Sequence, residues 1–376
     1  MTRIRGFDGL RALALLLVFF QHYAKIGQKF ETGGYGVWLF FVLSGFLIVR
    51  ILHGERQRIE AHAVSAWSAL GGFYWRRTLR IMPIYYLSIA VMATLGAFHL
   101  VKGALAESTL WHLFYAGNIY YGHVLERWTG PMSHFWSLAV EEQFYLLAAP
   151  ALLLLIPARK AKMACAAMIY ISIATSFWLR TSDASEFLLY NSSIINFGAM
   201  AAGGLMGLSL KGEPGAGRNG WFGAGLIAAY LGLIAAMWAS PAFEPQTALL
   251  IAGIPLVAAS LLAALLLRTA FLNQKSWLVW ALEVWPLRTL GRISYSFYLY
   301  HKLLPSWMVY WSLKRLGIVT EASYWVEFFA AFAVTLVLST ISWWAIERPL
   351  MAFKDRPPKW PGRLLQGFGK PQAASL

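Results

Sequence analysis

The sequence predicts an all-α, polytopic membrane bundle of about ten transmembrane helices, and three observations carry that prediction. The chain has 376 residues, of which 59% are hydrophobic and only 13% charged, with a mean hydropathy of +0.55. A soluble domain of that size is far more polar. Apolar runs recur at the length of roughly 20 residues that a hydrocarbon core demands. The basic residues alternate sides: most of the 32 Lys and Arg fall in connections that share a face with both termini, which places the termini in the cytoplasm.

In order along the chain, spans are expected at 8–26, 33–52, 81–100, 134–156, 163–179, 188–210, 221–239, 247–267, 290–311 and 324–345. Residues 1–350 then form one transmembrane domain, and the charged, Pro-rich 351–376 is a cytoplasmic tail of little structure. The start resembles a secretory signal, but Asp8 and Arg11 interrupt the run and a second apolar run follows at once, so the first span is expected to remain. The amphipathic stretch from Gly54 to Gly72 is expected to be a helix lying on the cytoplasmic interface. The aromatic 110–122 is too short to cross and reads as re-entrant or interfacial. It sits in the longest external loop, 101–133, which is placed to act as a lid. His112, His123 and His134 are evenly spaced, but Gly117, Gly122, Gly130 and Pro131 forbid one helix through them, so no metal site is expected. Gly198, Gly203, Gly204 and Gly207 lie in the sixth span at spacings suited to close helix packing.

The formal charge of +15 would suggest nucleic acid in a soluble protein. Here the charges sit in short loops between spans, so orientation in the bilayer accounts for them and no nucleic-acid partner is expected. Cys165 stands alone in an apolar run, which excludes a disulfide framework and a cysteine metal cluster.

Ionisable groups inside spans are expensive and point to function. His22 lies eleven residues beyond Arg11 in the first span, about 16 Å along a helix. Glu141 and Glu142 fall seven and eight residues into the fourth span, and His301 nine residues beyond Arg292 in the ninth. Counting residues from the expected membrane faces puts His22, the two acids and His301 at nearly one depth. A carboxylate beside a histidine fixes its tautomer and stabilises the imidazolium, which suits general-base work at neutral pH. Ser44, Ser137 and Gln143 are further polar candidates for a substrate site. At the cytoplasmic entrance to the third span, Arg77 and Arg80 share a helix face, where guanidinium groups bind phosphates bidentately. With Arg11 and Arg292 they would ring an inner mouth suited to an anionic donor whose reactive end reaches inward, a shape that acyl-coenzyme A has.

These residues also resemble a known family, the acyltransferase-3 membrane proteins that acylate bacterial surface carbohydrates. The similarity rests on Asp8-Gly9-Leu10-Arg11 through His22, Phe40-Phe41-Val42-Leu43-Ser44-Gly45-Phe46-Leu47, Arg77-Thr78-Leu79-Arg80-Ile81-Met82-Pro83, Trp136 through Tyr145, Ser294 through His301, and Glu347-Arg348-Pro349. The resemblance implies a cytoplasmic acyl donor, usually acetyl-CoA, with no metal, and an acceptor hydroxyl on a glycan or lipid-linked sugar. It implies a multi-pass protein of the bacterial inner membrane, with His22 catalytic, Arg11, Arg77 and Arg80 serving the donor, and Glu141 the acidic partner. One departure is Trp38-Leu39, where many members carry an acid before the Phe-Phe pair. Some members also append an extracytoplasmic hydrolase-like domain, which is not expected here. A glycan or lipid-linked sugar transporter using the same buried groups as a proton relay is the alternative.

Overall fold

The computed structural model describes residues 3–24, 27–28, 31–98, 105–210, 214–215, 225, 253–303, 312–317 and 324–356. The expected span 221–239, parts of 247–267 and 290–311, Lys25, Lys29, Lys102 and the tail beyond 356 lie largely or wholly outside them. Among the described residues the regular structure is entirely helical. Five helical stretches among the described residues are long and apolar enough to cross a membrane: Thr32–Glu60, Ala66–Ala97, Ser133–Leu155, Ala158–Thr181 and Trp325–Met351. Shorter apolar helices cover Ser193–Ser209 and Ala259–Leu272. The protein is therefore an all-α polytopic membrane protein.

Helix α1 (Phe7–Tyr23) packs on α2 (Thr32–Glu60). At 29 residues, α2 is about 44 Å long, well beyond a core of roughly 30 Å. Its last turns project from the bundle, and the chain then turns at 61–65 into α3 (Ala66–Ala97), capped by the Ser65 hydroxyl. The stretch Gly54 to Gly72 is thus not a separate surface helix; it is shared between the end of α2 and the start of α3. Ion pairs within the projecting end, Arg56 with Glu60 and Arg58 with Glu55, support its helix, and the Glu60 carboxylate also accepts from the Ala158 backbone N–H at 2.9 Å.

The segment from 105 to 125 contains α4 (Leu105–Leu113), a helical turn at Gly117–Ile119 and a π-helical turn at Tyr120–Leu125. Left-handed residues at Tyr115 (φ 52°) and Glu126 (φ 48°) break it into pieces, so His112, His123 and His134 share no helix. The chain then descends into the bundle: residues 131–140 are all buried, and α5 (Trp136–Pro150) begins inside the protein.

Beyond α6 (Ala161–Thr181), the sixth span is two helices, α7 (Glu186–Asn191) and α8 (Ser193–Ser209), with Ser192 capping the second. Helix α8 lies against α2 and α6. A Cβ on Gly45 would strike the Met200 carbonyl, and one on Gly203 the Val42 carbonyl, so this crossing depends on two glycines that let the backbones touch. After α9 (Gly253–Leu272) come three short helices, α10 (Trp277–Leu282), α11 (Trp285–Arg292) and α12 (Ser294–Tyr300), and then α13 (Tyr324–Ser342). The expected ninth span therefore starts broken at Ile293. Gly291 sits against the Asp8 carbonyl, which joins the end of α11 to the start of α1.

Candidate active site

The α1–α12 contact is set by aromatics. Phe19 meets Phe297 edge-on, with ring centroids 5.8 Å apart. One turn further along each helix, His22 meets His301 with centroids 5.1 Å apart. His301 in turn meets His134, from the 3-10 turn Ser133–Phe135 that leads into α5, at 4.7 Å. The Tyr23 hydroxyl donates to the His301 backbone carbonyl and fixes that corner.

Backbone carbonyls decide the tautomers of two rings, since a carbonyl only accepts. His301 Nδ1 lies 2.6 Å from the Tyr298 carbonyl, so it carries the hydrogen, and His301 Nε2 is buried with no partner. His134 Nε2 lies 3.0 Å from the Leu299 carbonyl, so His134 Nδ1 holds the free lone pair, also buried and unpartnered. His22 is half-buried. Next to this layer, Lys302 Nζ donates to Ser133 Oγ at 2.5 Å.

The second level lies along α5. Glu141 accepts from Ser44 Oγ at 2.5 Å and from the Tyr145 hydroxyl, one turn on. The Arg77 guanidinium lies over the Tyr145 ring, 5.6 Å from its centroid, and over Phe73 at 5.8 Å. Arg80 is within electrostatic reach of Arg11, Arg77 and Glu141. Among the described residues neither Arg77 nor Arg80 has an ion pair, and Arg77 Nε is buried without a hydrogen-bond partner. Arg11 pairs with Asp8 at 3.2 Å, and Asp8 is shared with Arg3.

The structure therefore brings His22 to His301 and Arg11 to Arg77 and Arg80, as expected, but it does not bring Glu141 to His22. Among the described residues no hydrogen bond joins them. The reason lies in where α5 begins. Residue counting took His134 as the membrane surface, whereas His134 is 4% exposed and belongs to the histidine layer. Glu141, seven residues on, is about 10 Å further along the helix, at the arginine level. Glu142 faces the other way, towards the tyrosines of α3 and Tyr115, and its Oε1 is buried without a partner. Arg292 is exposed.

Two substrate-site candidates are consumed by structure. Gln143 donates both amide hydrogens, to the Tyr115 carbonyl at 2.7 Å and Asn118 Oδ1 at 2.8 Å, and accepts from Ser193 Oγ at 2.5 Å. Ser137 is closed within the Tyr298 hydroxyl (2.6 Å) and His134 carbonyl (3.2 Å). Ser44 is engaged by Glu141 but remains half-buried.

Sequence reasoning missed three residues. His134 reads from the sequence as the start of the fourth span and as one of three evenly spaced histidines, not as a site residue, and among the described residues no group of three or more His, Cys, Asp or Glu is placed to hold an ion. Tyr145, four residues after Glu141, carried an i, i+4 signal that could have paired them. Glu347 reads as a span end, yet it is 4% exposed, bonded by Ser342 at 3.3 Å and by Ser296, and within reach of Arg80. Its place at the end of the last span, level with the arginines, was the available signal.

Curated relatives match part of the chain. Peptidoglycan O-acetyltransferase OatA of Listeria monocytogenes is 33% identical over 156 residues, which are 38% of this chain and 23% of that protein. YrhL of Bacillus subtilis, provisionally named a peptidoglycan O-acetyltransferase, is 35% identical over 157 residues, again 38% and 23%. SACOL0978 of Staphylococcus aureus, provisionally named an O-acetyltransferase, is 31% identical over 156 residues, 39% and 24%. The matched stretch thus spans about a quarter of these relatives' length. No solved structure shows a significant match. The family model described as an acyltransferase domain matches residues 4–344, from the start of the first helix to the π-helical turn that carries Glu347. Both levels of the site fall inside that match, and the chain belongs to this acyltransferase family.

Proposed function

We propose that this protein is a membrane-bound O-acyltransferase that carries an acyl group, acetyl in the first instance, from acyl-CoA to a hydroxyl of a cell-surface glycan or lipid-linked sugar. The observation that carries the reading is the unpaired state of Arg77 and Arg80. Two neighbouring guanidiniums without an acceptor, one with a buried, unpartnered Nε, are costly in a protein interior. Phosphate oxygens are the acceptors that guanidinium geometry fits. Arg11, Arg77 and Arg80 hold the donor's phosphates. Arg292, exposed at the end of α11, attracts the donor from outside without closing on it.

From Arg11 the first helix rises about 16 Å to His22, the separation spanned by the donor's extended arm between its phosphates and its thioester. His22 takes the proton of the acceptor hydroxyl as its oxygen attacks the thioester carbonyl. The ester C–O bond forms, the C–S bond breaks, and the thiolate leaves with the proton from the imidazolium. Glu141 and Glu142 act below this step: Glu141 holds the Tyr145 hydroxyl beside the arginines, and Glu142 faces the tyrosines. The excess of Lys and Arg on the side of the termini sets the donor side as cytoplasmic, in the inner membrane of a bacterium, with the acceptor met across the bilayer.

The test is acyl transfer from labelled acetyl-CoA by cells and by purified protein carrying His22→Ala. Full transfer overturns the assignment of His22. Covalent product formed without any ion gradient separates the acyltransferase from a transporter that uses the same groups as a proton relay.

A further inference from the structure

We infer that His301 is the partner of His22: a positioning residue whose Nε2 lone pair orients the His22 ring and shares the proton that His22 takes from the acceptor. This rests on the O-acyltransferase reading above.

A histidine base works well when a neighbour fixes its tautomer and accommodates its positive form. Carboxylates usually do this, but none is bonded to His22 among the described residues. The ring facing His22 is His301, at 5.1 Å between centroids and tilted by 40°. His301 has one free valence for the task. Its Nδ1–H is spent on the Tyr298 carbonyl, and its buried Nε2 has no partner. A buried lone pair left open is the exception in proteins. Three contacts hold it there: the Tyr298 carbonyl, the Tyr23 hydroxyl on the His301 backbone, and the His134 ring packed at 4.7 Å.

The other groups nearby are less suited. Lys302 is turned to Ser133 and is a donor only. The Tyr298 hydroxyl is shared between Ser137 and the His134 carbonyl. His134 offers a free Nδ1, but its ring packs against Phe135 at 4.8 Å, Tyr298 at 5.6 Å and His301 at 4.7 Å. The proton balance is simple. The hydrogen leaves the acceptor oxygen for His22, is held between His22 and His301 Nε2 while the C–O bond forms, and returns through His22 to the departing thiolate.

The experiment compares wild type, His301→Gln, His22→Ala and the double variant. Nitrogen NMR of 15N-histidine-labelled protein in nanodiscs is read first, with the His22 signals assigned by their loss in His22→Ala. Acyl transfer is then measured in cells as alkali-released carboxylic acid from the envelope glycan, and binding of acetyl-CoA to each purified variant reports its fold. We expect His301→Gln to shift the His22 nitrogens and to lower transfer by about tenfold or more, with donor binding retained and no further loss when added to His22→Ala. A residue with a merely packing role leaves the His22 tautomer in place and multiplies its loss onto that of His22→Ala. Unshifted His22 signals, or His301→Gln transfer within about twofold of wild type, overturn the inference while leaving His22 as the base. Full transfer by His22→Ala instead overturns the assignment of His22 as the base, on which the inference rests, and absence of acyl transfer by wild type overturns the enzymatic reading beneath it.

Discussion

The two levels of the site are built in opposite ways. The histidine level is closed by backbone: carbonyls of Tyr298 and Leu299 bind two of its rings and leave a lone pair on each. The arginine level is closed by side chains and is short of acceptors, with Glu141 already taken by Ser44 and Tyr145 and with Arg77 Nε unpartnered. Rigid backbone partners suit proton transfer, which needs fixed direction over short distances. Unsatisfied guanidinium donors suit a ligand that arrives with its own oxygens. The bundle therefore sets the two levels apart by roughly 16 Å of helix.

Variants can break or sharpen that contrast. His22→Ala gives the largest effect, a fall in kcat of about 10²–10⁴-fold, as expected for loss of a general base, while acetyl-CoA titrates with unchanged affinity. A matching loss of donor affinity would merge the two levels. Arg80→Ala weakens donor binding by about 10–100-fold, the size of a lost charge-assisted hydrogen bond; equilibrium binding with rising salt checks it, and the variant loses part of the wild type's salt sensitivity. A change in kcat alone would argue against a donor role.

Leucine at Gly203 forces α8 away from α2, since the Val42 carbonyl occupies the space. It lowers stability by about 1–3 kcal/mol, read as a fall in Tm, with activity lost in proportion to unfolded protein. Gln143→Leu has a similar cause and smaller reach. It removes the donor to the Tyr115 carbonyl and to Asn118 Oδ1 and the acceptor for the Ser193 hydroxyl, costs about 1–3 kcal/mol in stability and leaves the KM for donor unchanged. The smallest effect is the most discriminating. Glu141→Gln moves the donor KM by less than about tenfold with kcat nearly constant if Glu141 serves the arginines, and lowers kcat with KM constant if it serves His22.

Much of this was legible locally. Arg11 and His22 share a helix, Arg77 and Arg80 share a face, and Glu141 and Glu142 lie inside a span, because helix geometry converts spacing into position without reference to other segments. The span boundaries were less legible. Gly54 to Gly72 is amphipathic enough for an interfacial helix, but α2 simply continues through its first part. Gln143 looked like a substrate ligand, since a polar residue in an apolar run reads the same whether it meets a ligand or a buried turn; here it meets Tyr115, Asn118 and Ser193. Glu347 was hidden because the end of a span is where an acid draws least notice.

By itself the sequence determined an all-helical membrane chain, its acyltransferase family signature and the rungs within each helix, all of which follow from composition and a fixed rise per residue. Only the tertiary structure decided how the rungs of different helices align. The 105–135 stretch carries His134 down into the bundle before α5 begins, so Glu141 comes within electrostatic reach of Arg80 and His22 meets His301. Depth within one helix is a local quantity, whereas alignment between helices depends on where each enters the bundle, and packing partners such as Phe19 with Phe297 fix that.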